Sequence, residues 1–114
     1  MYSSANSKNI IFLKMQHDRW KRIDLNQVIY IETMRWNTLF FYRNGDTEKC
    51  HYSLLKVQSI LPAGFERIHR STIINTAYIE DINTSFTELK LCNNKSFVVG
   101  LAYKKNLRKY LFNF

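Results

Sequence analysis

The apolar residues of this chain come in short runs, each cut off within a few positions by polar residues that favour turns. Runs of this length, rich in Ile, Val, Phe and Tyr, read as strands of roughly 4–8 residues and leave no room for long helices. Asn9 to Met15 is the first extended run, and His17-Asp18 makes a turn. Arg19 to Leu25 alternates, and Val28 to Thr33 (VIYIET) is β-branched and apolar. Thr38 to Arg43 (TLFFYR) is apolar on both faces. Asn44-Gly45 then predicts a type I′ hairpin turn, because both residues tolerate positive φ. Glu48 to Tyr52 returns. Further extended runs follow at Phe65 to Ile68, Thr72 to Asn75, Tyr78 to Ile82, Phe86 to Leu91 and Ser96 to Val99, with Asn93-Asn94 turning between the last two.

Helical spacing occurs in two places. Ser53 is a candidate cap for a short helix carrying Leu54, Leu55, Val57, Ile60 and Leu61, which Pro62 and Gly64 end. Ala102 to Phe112 reads as a terminal helix. Tyr103, Leu107, Tyr110 and Leu111 share one face of it, and Lys104, Lys105, Arg108 and Lys109 cover the rest. The expected fold is therefore mostly β with minor α: about ten short strands in small sheets, one short middle helix and a C-terminal helix. At 114 residues the chain suits one domain, over 9–114, with residues 1–8 (MYSSANSK) as a flexible lead-in or linker.

Charge is the first functional clue. Seventeen Lys and Arg face nine Asp and Glu, for a formal +8. Such a field attracts phosphate polyanions, anionic membranes or acidic proteins without choosing among them. Cys50 and Cys92 lie far apart, with no CxxC and no zinc-like spacing, so no metal or other cofactor is expected. No apolar run approaches the roughly 20 residues of a membrane helix, and residues 1–8 lack a signal-peptide core. The expected compartment is the cytoplasm.

The sequence lacks GxSxG, P-loop, GxGxxG and HExxH motifs. Cys50 and His51 are adjacent, so on a strand they point to opposite faces and cannot act as a nucleophile–base pair. An enzyme is not expected. Three polar insertions remain. In FERIHRSTIINTAYIEDI (65–82), His69-Arg70-Ser71 separates two apolar runs. Arg70 offers five fixed donors suited to phosphate or a guanine edge, and His69 and Ser71 are phosphate-capable. The competing reading is an ordinary surface loop. In the second insertion, 34–38 (MRWNT), Arg35 suits phosphate, Trp36 suits sugar or the domain edge, and Asn37 and Thr38 suit base edges. The bland alternative is a turn with Trp36 partly in the core. The third is the start of the last helix, Leu101 to Lys105, where a helix N-terminus and Lys104 and Lys105 would meet phosphate; a solvated cationic face is the alternative.

Taken in order, I-Y-I-E at 29–32, the Asn44-Gly45 hairpin, the Leu-rich short helix and F-x-R-I-H-R-S-x-I-I-N-x-x-Y-I at 65–79 resemble the LytTR DNA-binding domain. The match runs from about Ile10 to Leu111. The resemblance implies about ten short strands in small sheets and no helix-turn-helix. It implies binding by loops that reach successive major grooves, with the middle loop over the minor groove between them. The three insertions are those loops. Asn37, Thr38, Arg70, Ala102 and Tyr103 would then face bases or groove, and Arg35, Trp36, His69, Ser71, Lys104 and Lys105 phosphate. The partner would be double-stranded DNA, usually as paired direct repeats, bound by a chain that is a monomer alone or a dimer on DNA. A receiver domain is implied in the full-length regulator.

Two positions depart from the family pattern. Gly100 stands where Ser is frequent, and Ala102 where some members carry a base-contacting Arg. Either Tyr103 and Lys104 take over, or that loop serves phosphate alone. Glu32 and Asn75 fit local hydrogen bonding better than DNA contact. Two other function classes stay open from the residues: a single-stranded nucleic-acid binder that uses aromatic stacking, and a protein-interaction module with a basic surface.

Overall fold

The computed structural model describes residues 9–15 and 18–112. The expected lead-in at 1–8, and the His17 half of the first turn, lie outside these residues. The described chain forms ten strands, β1 (Ile10–Met15), β2 (Arg19–Asp24), β3 (Val28–Met34), β4 (Asn37–Tyr42), β5 (Thr47–Cys50), β6 (Phe65–His69), β7 (Thr72–Asn75), β8 (Ile79–Ile82), β9 (Glu88–Leu91) and β10 (Ser96–Val98). Helix α1 (Leu54–Ile60) lies between β5 and β6, and α2 (Lys105–Arg108) follows β10.

A five-stranded sheet, in the order β5-β4-β3-β7-β6, is the centre of the molecule. The β1–β2 ribbon and the β10-β9-β8 sheet lie apart from it in hydrogen bonding. They are joined to it by packing on opposite faces. Leu13 and Ile23 of the ribbon pack with Ile31, Phe40, Ile73, Leu54 and Val57 on one face. Leu89, Leu91 and Phe97 of the three-stranded sheet pack with Tyr30, Ile68, Ile74 and Leu107 on the other. The central strand β3 is thus covered on both sides, which explains why VIYI is apolar without alternation. Its register slips between Val28 and Tyr30. That bulge puts Val28 on the Ile31 face while Ile29 joins Tyr30 on the other, a displacement one extra residue produces.

Polar groups of the fold are satisfied locally. Asn75 is 7% exposed. Its amide donates to the Val28 carbonyl at 2.9 Å, and its Oδ1 accepts from the Ala77 amide at 3.1 Å. It ties the end of β7 to the start of β3, as expected of a buried amide. Ser53 accepts from the Lys56 amide at 3.2 Å and caps α1. Burial pushes the Cys50 thiol up from its ordinary value, and it packs as an apolar side chain in the ribbon-side core.

Two sequence expectations need correction. Gly45 has φ +94° but Asn44 is not in the positive-φ region. The Gly45 amide bonds to the Tyr42 carbonyl at 3.0 Å and the Tyr42 amide to the Asp46 carbonyl at 2.9 Å. The hairpin is therefore a three-residue loop with glycine in the left-handed position, not a type I′ turn. Asn94 (φ 67°) plays glycine's part in the loop from β9 to β10, with the same pair of bonds, Asn94 amide to Leu91 carbonyl and Leu91 amide to Lys95 carbonyl, both 2.9 Å.

The second correction is the terminal helix. It does not run from Ala102 to Phe112. A 3-10 turn spans Leu101–Tyr103, and α2 covers only Lys105–Arg108. Leu107 is fully buried, whereas Tyr110 and Leu111 are more than a third exposed. One buried anchor does not sustain a longer helix, because short helices depend on packing and not on propensity.

Candidate nucleic-acid interface

The five-stranded sheet brings the three polar insertions to one end. The β3–β4 turn is Arg35-Trp36, with Met34 paired to Asn37. The β6–β7 turn is Arg70-Ser71, with His69 paired to Thr72. Because β7 pairs with β3, the turns are neighbours, and the Thr33 amide donates to the Ser71 carbonyl at 2.9 Å. The third segment is fixed beside them along edge strand β6. The Gly100 amide donates to the Ile68 carbonyl at 2.8 Å, and the Asn106 side-chain amide donates to the Arg67 carbonyl at 2.8 Å.

The β6–β7 turn is held by side chains from beneath. Arg67 Nε donates to the His69 carbonyl at 2.8 Å, one terminal nitrogen donates to Gln58 Oε1 at 2.9 Å, and the other donates to the Arg70 carbonyl. The guanidinium also lies 5.9 Å from the centre of the Tyr103 ring. One fork of fixed donors thus locks the turn to α1 and to the third segment. His69 Nδ1 accepts from the Ser71 amide at 3.2 Å and lies 2.9 Å from Ser71 Oγ. A ring nitrogen that accepts carries no proton, so in the neutral ring the proton sits on Nε2. Ser71 continues through Thr72 Oγ1, at 3.3 Å, to Glu32, which accepts from Thr72 at 3.4 Å. Glu32 is spent inside the fold. Arg70 is left exposed, with its carbonyl occupied by Arg67.

The β3–β4 turn is built differently. Arg35 has φ 57°. It occupies the first central position of a two-residue hairpin, where positive φ matches the strand twist and glycine is preferred. Trp36 is 90% exposed and Met34 49%. Asn37 is half-buried.

Of the expected contact residues, Thr38 is buried and Tyr103 is half-buried against its neighbours. Thr38 is 1% exposed and donates to the Tyr52 carbonyl at 2.6 Å. It shares a strand face with buried Phe40, and that alternation was readable in TLFFY. The Tyr103 ring folds back against Gly100, where a Cβ would meet it at 3.0 Å. Gly100 in place of the frequent Ser leaves room for that ring. Ala102 and Lys105 are exposed and Lys104 is half-buried. The four-residue α2 contributes little dipole, so the positive character here comes from the lysines and not from a helix N-terminus as expected. Arg67 was not singled out from the sequence; its place two residues before His69, on the same strand, was the available signal.

Among the described residues no three His, Cys, Asp or Glu side chains gather as a metal site, and no helix is long and apolar enough to cross a membrane. Three loop segments carrying Arg35, Arg70, Lys104 and Lys105 thus gather at one end of a stack of small sheets. The chain matches the LytTr DNA-binding domain family over residues 18–112, and it belongs to that family. The resemblance read from the 65–79 run holds. The solved LytTr DNA-binding domain of a methyl-accepting/DNA response regulator from Bacillus cereus is similar, with a TM-score of 0.71 and 27% identity, over 89% of this chain and 94% of that one. The ATP-dependent DNA helicase Hel308 of Methanococcus vannielii is 27% identical over 103 residues, 90% of this chain; the chain spans 12% of the helicase.

Proposed function

We propose that this domain binds double-stranded DNA sequence-specifically, as the output domain of a bacterial response regulator that controls transcription in the cytoplasm. The observation that carries this reading is the arrangement of the β6–β7 turn, with Arg70 exposed on a backbone that Arg67 and the His69–Ser71 pair hold rigid. A preorganised cation loses little entropy on contact and so discriminates well.

In this reading Arg70 reads a base edge or a desolvated phosphate in the central contact. His69 presents its Nε2 proton, and Ser71 its hydroxyl, to the backbone. Arg35, Trp36 and Asn37 enter the groove on one side. Ala102 lies close to the DNA on the other, with Lys104 and Lys105 on phosphate. Thr38 and Tyr103 support the loops from inside. Paired sites would engage two copies, each adding to the other's affinity, and a receiver domain would govern that pairing.

The test is selection from a random duplex pool at about physiological salt, with Arg70→Ala in parallel. An enriched motif that blurs or vanishes in the variant is expected. Enrichment without a motif would leave only nonspecific electrostatics. A motif unchanged in the variant would remove Arg70 from the contact.

A further inference from the structure

The DNA-facing end carries more than cations. Three large apolar side chains stand in solvent there: Trp36 at 90% exposure, Met34 at 49% and Leu101 at 83%. Trp36 and Met34 belong to the β3–β4 turn and its strand, and Leu101 to the segment fixed beside β6. Trp36 has no hydrogen bond or ring partner among the described residues, whereas Tyr30 is stacked on Phe41 at 4.2 Å and packed edge-on to Phe97 at 4.8 Å. The indole therefore contributes little to the fold. Its turn keeps Arg35 at a φ of 57°, a conformation that disfavours side chains larger than glycine.

From the grooves, double-stranded DNA offers one apolar group that changes with sequence, the C5 methyl of thymine in the major groove. Arginine and lysine do not sense that methyl. A rigid aromatic ring, with few rotamers to freeze, does. We infer that Trp36 is a specificity-determining residue that packs against thymine methyls, so that the β3–β4 turn selects thymine where the β6–β7 turn reads polar edges. Met34 borders the same contact, and Leu101 makes an equivalent apolar contact at the other flank. This rests on the proposed double-stranded DNA reading.

The experiment uses the duplex enriched from the random pool and the same duplex with deoxyuridine in place of every thymidine, which removes only the methyls. Each is titrated with the wild-type domain, Trp36→Ala and Trp36→Phe, and thermal melting of each protein checks the fold. The wild type should bind the deoxyuridine duplex roughly three- to tenfold more weakly, since each lost methyl contact is worth about a factor of four. Trp36→Ala should lose most of that difference, keeping only the share owed to Met34 and Leu101, and Trp36→Phe should keep more of it than Trp36→Ala. Equal binding of both duplexes by the wild type would overturn the inference, and so would a full deoxyuridine penalty in Trp36→Ala. The latter result would mean that the methyls act through DNA shape. An enriched motif without thymine would overturn it too. Failure to enrich any motif would sink the sequence-specific reading on which this rests, whereas a motif with no methyl dependence would sink only the role of Trp36.

Discussion

The two turns at the working end of the five-stranded sheet are the same length and lie side by side, yet they are stabilised in different ways. The β6–β7 turn is cross-braced. Arg67 binds two of its carbonyls and reaches Gln58, and His69 and Ser71 bond to each other. The β3–β4 turn has no side-chain hydrogen bond from Arg35 or Trp36 among the described residues, and it places Arg35 at positive φ. One turn is a braced loop that leaves the Arg70 side chain exposed. The other is a hairpin tip that presents an exposed indole. A binding end with both can combine a fixed polar contact with an apolar one that adapts to the groove.

The largest effect should come from Arg67→Ala. It strips two turn carbonyls and Gln58 of a charged donor, at about 1.5–3 kcal/mol for such bonds. Chemical denaturation should show a loss of about 2 kcal/mol in stability, and DNA affinity should fall at least tenfold although Arg67 faces the fold. Unchanged affinity would mean that bracing the turn is irrelevant to binding. Next comes Arg70→Ala, with a loss of about 1–3 kcal/mol in binding free energy by fluorescence anisotropy. Its denaturation midpoint should not move, because only its carbonyl is engaged. Replacing Lys104 and Lys105 together by Gln should weaken binding to all sequences alike and lower the slope of log K against log salt by about 2. A changed sequence preference would instead place these lysines on bases. The smallest effect is Arg35→Gly, which relieves the positive φ. Stability should rise by up to about 1 kcal/mol while affinity falls through loss of the cation. A drop in stability would show that the Arg35 side chain supports its turn.

The strand-rich character was legible because short runs of Ile, Val, Phe and Tyr, each cut off within a few positions by turn residues, leave few other solutions. The 65–79 run also placed the central loop, since its polar residues interrupt two runs that must be buried. What did not read out depended on details that periodicity does not carry. The Asn44-Gly45 loop gained one residue because only Gly45 takes positive φ, which leaves Asn44 free to accept from the Asp46 amide at 2.9 Å. The terminal helix stopped early because Tyr110 turns to Glu66, bonding at 2.6 Å, and leaves Leu107 as its lone buried anchor. Thr38 and Tyr103 look like groove residues by chemistry, but strand parity turns one inward and the gap at Gly100 admits the other. Arg67 was hard to read as a brace because two of its three hydrogen-bond partners are backbone carbonyls two and three residues ahead, beside the register shift between Arg67 and His69, and the third is Gln58 on α1.

The central claim is that the three loop segments at one end of the sheet form the DNA face. Backbone amide chemical shifts, followed while the enriched duplex is added, test it residue by residue. The amides of Arg35 to Asn37, His69 to Ser71 and Leu101 to Lys105 should move most, while those of Thr76 to Ile79, at the opposite end of β7, stay nearly still. Strong shifts centred on Thr76 to Ile79, with the three loop segments unmoved, would contradict the account.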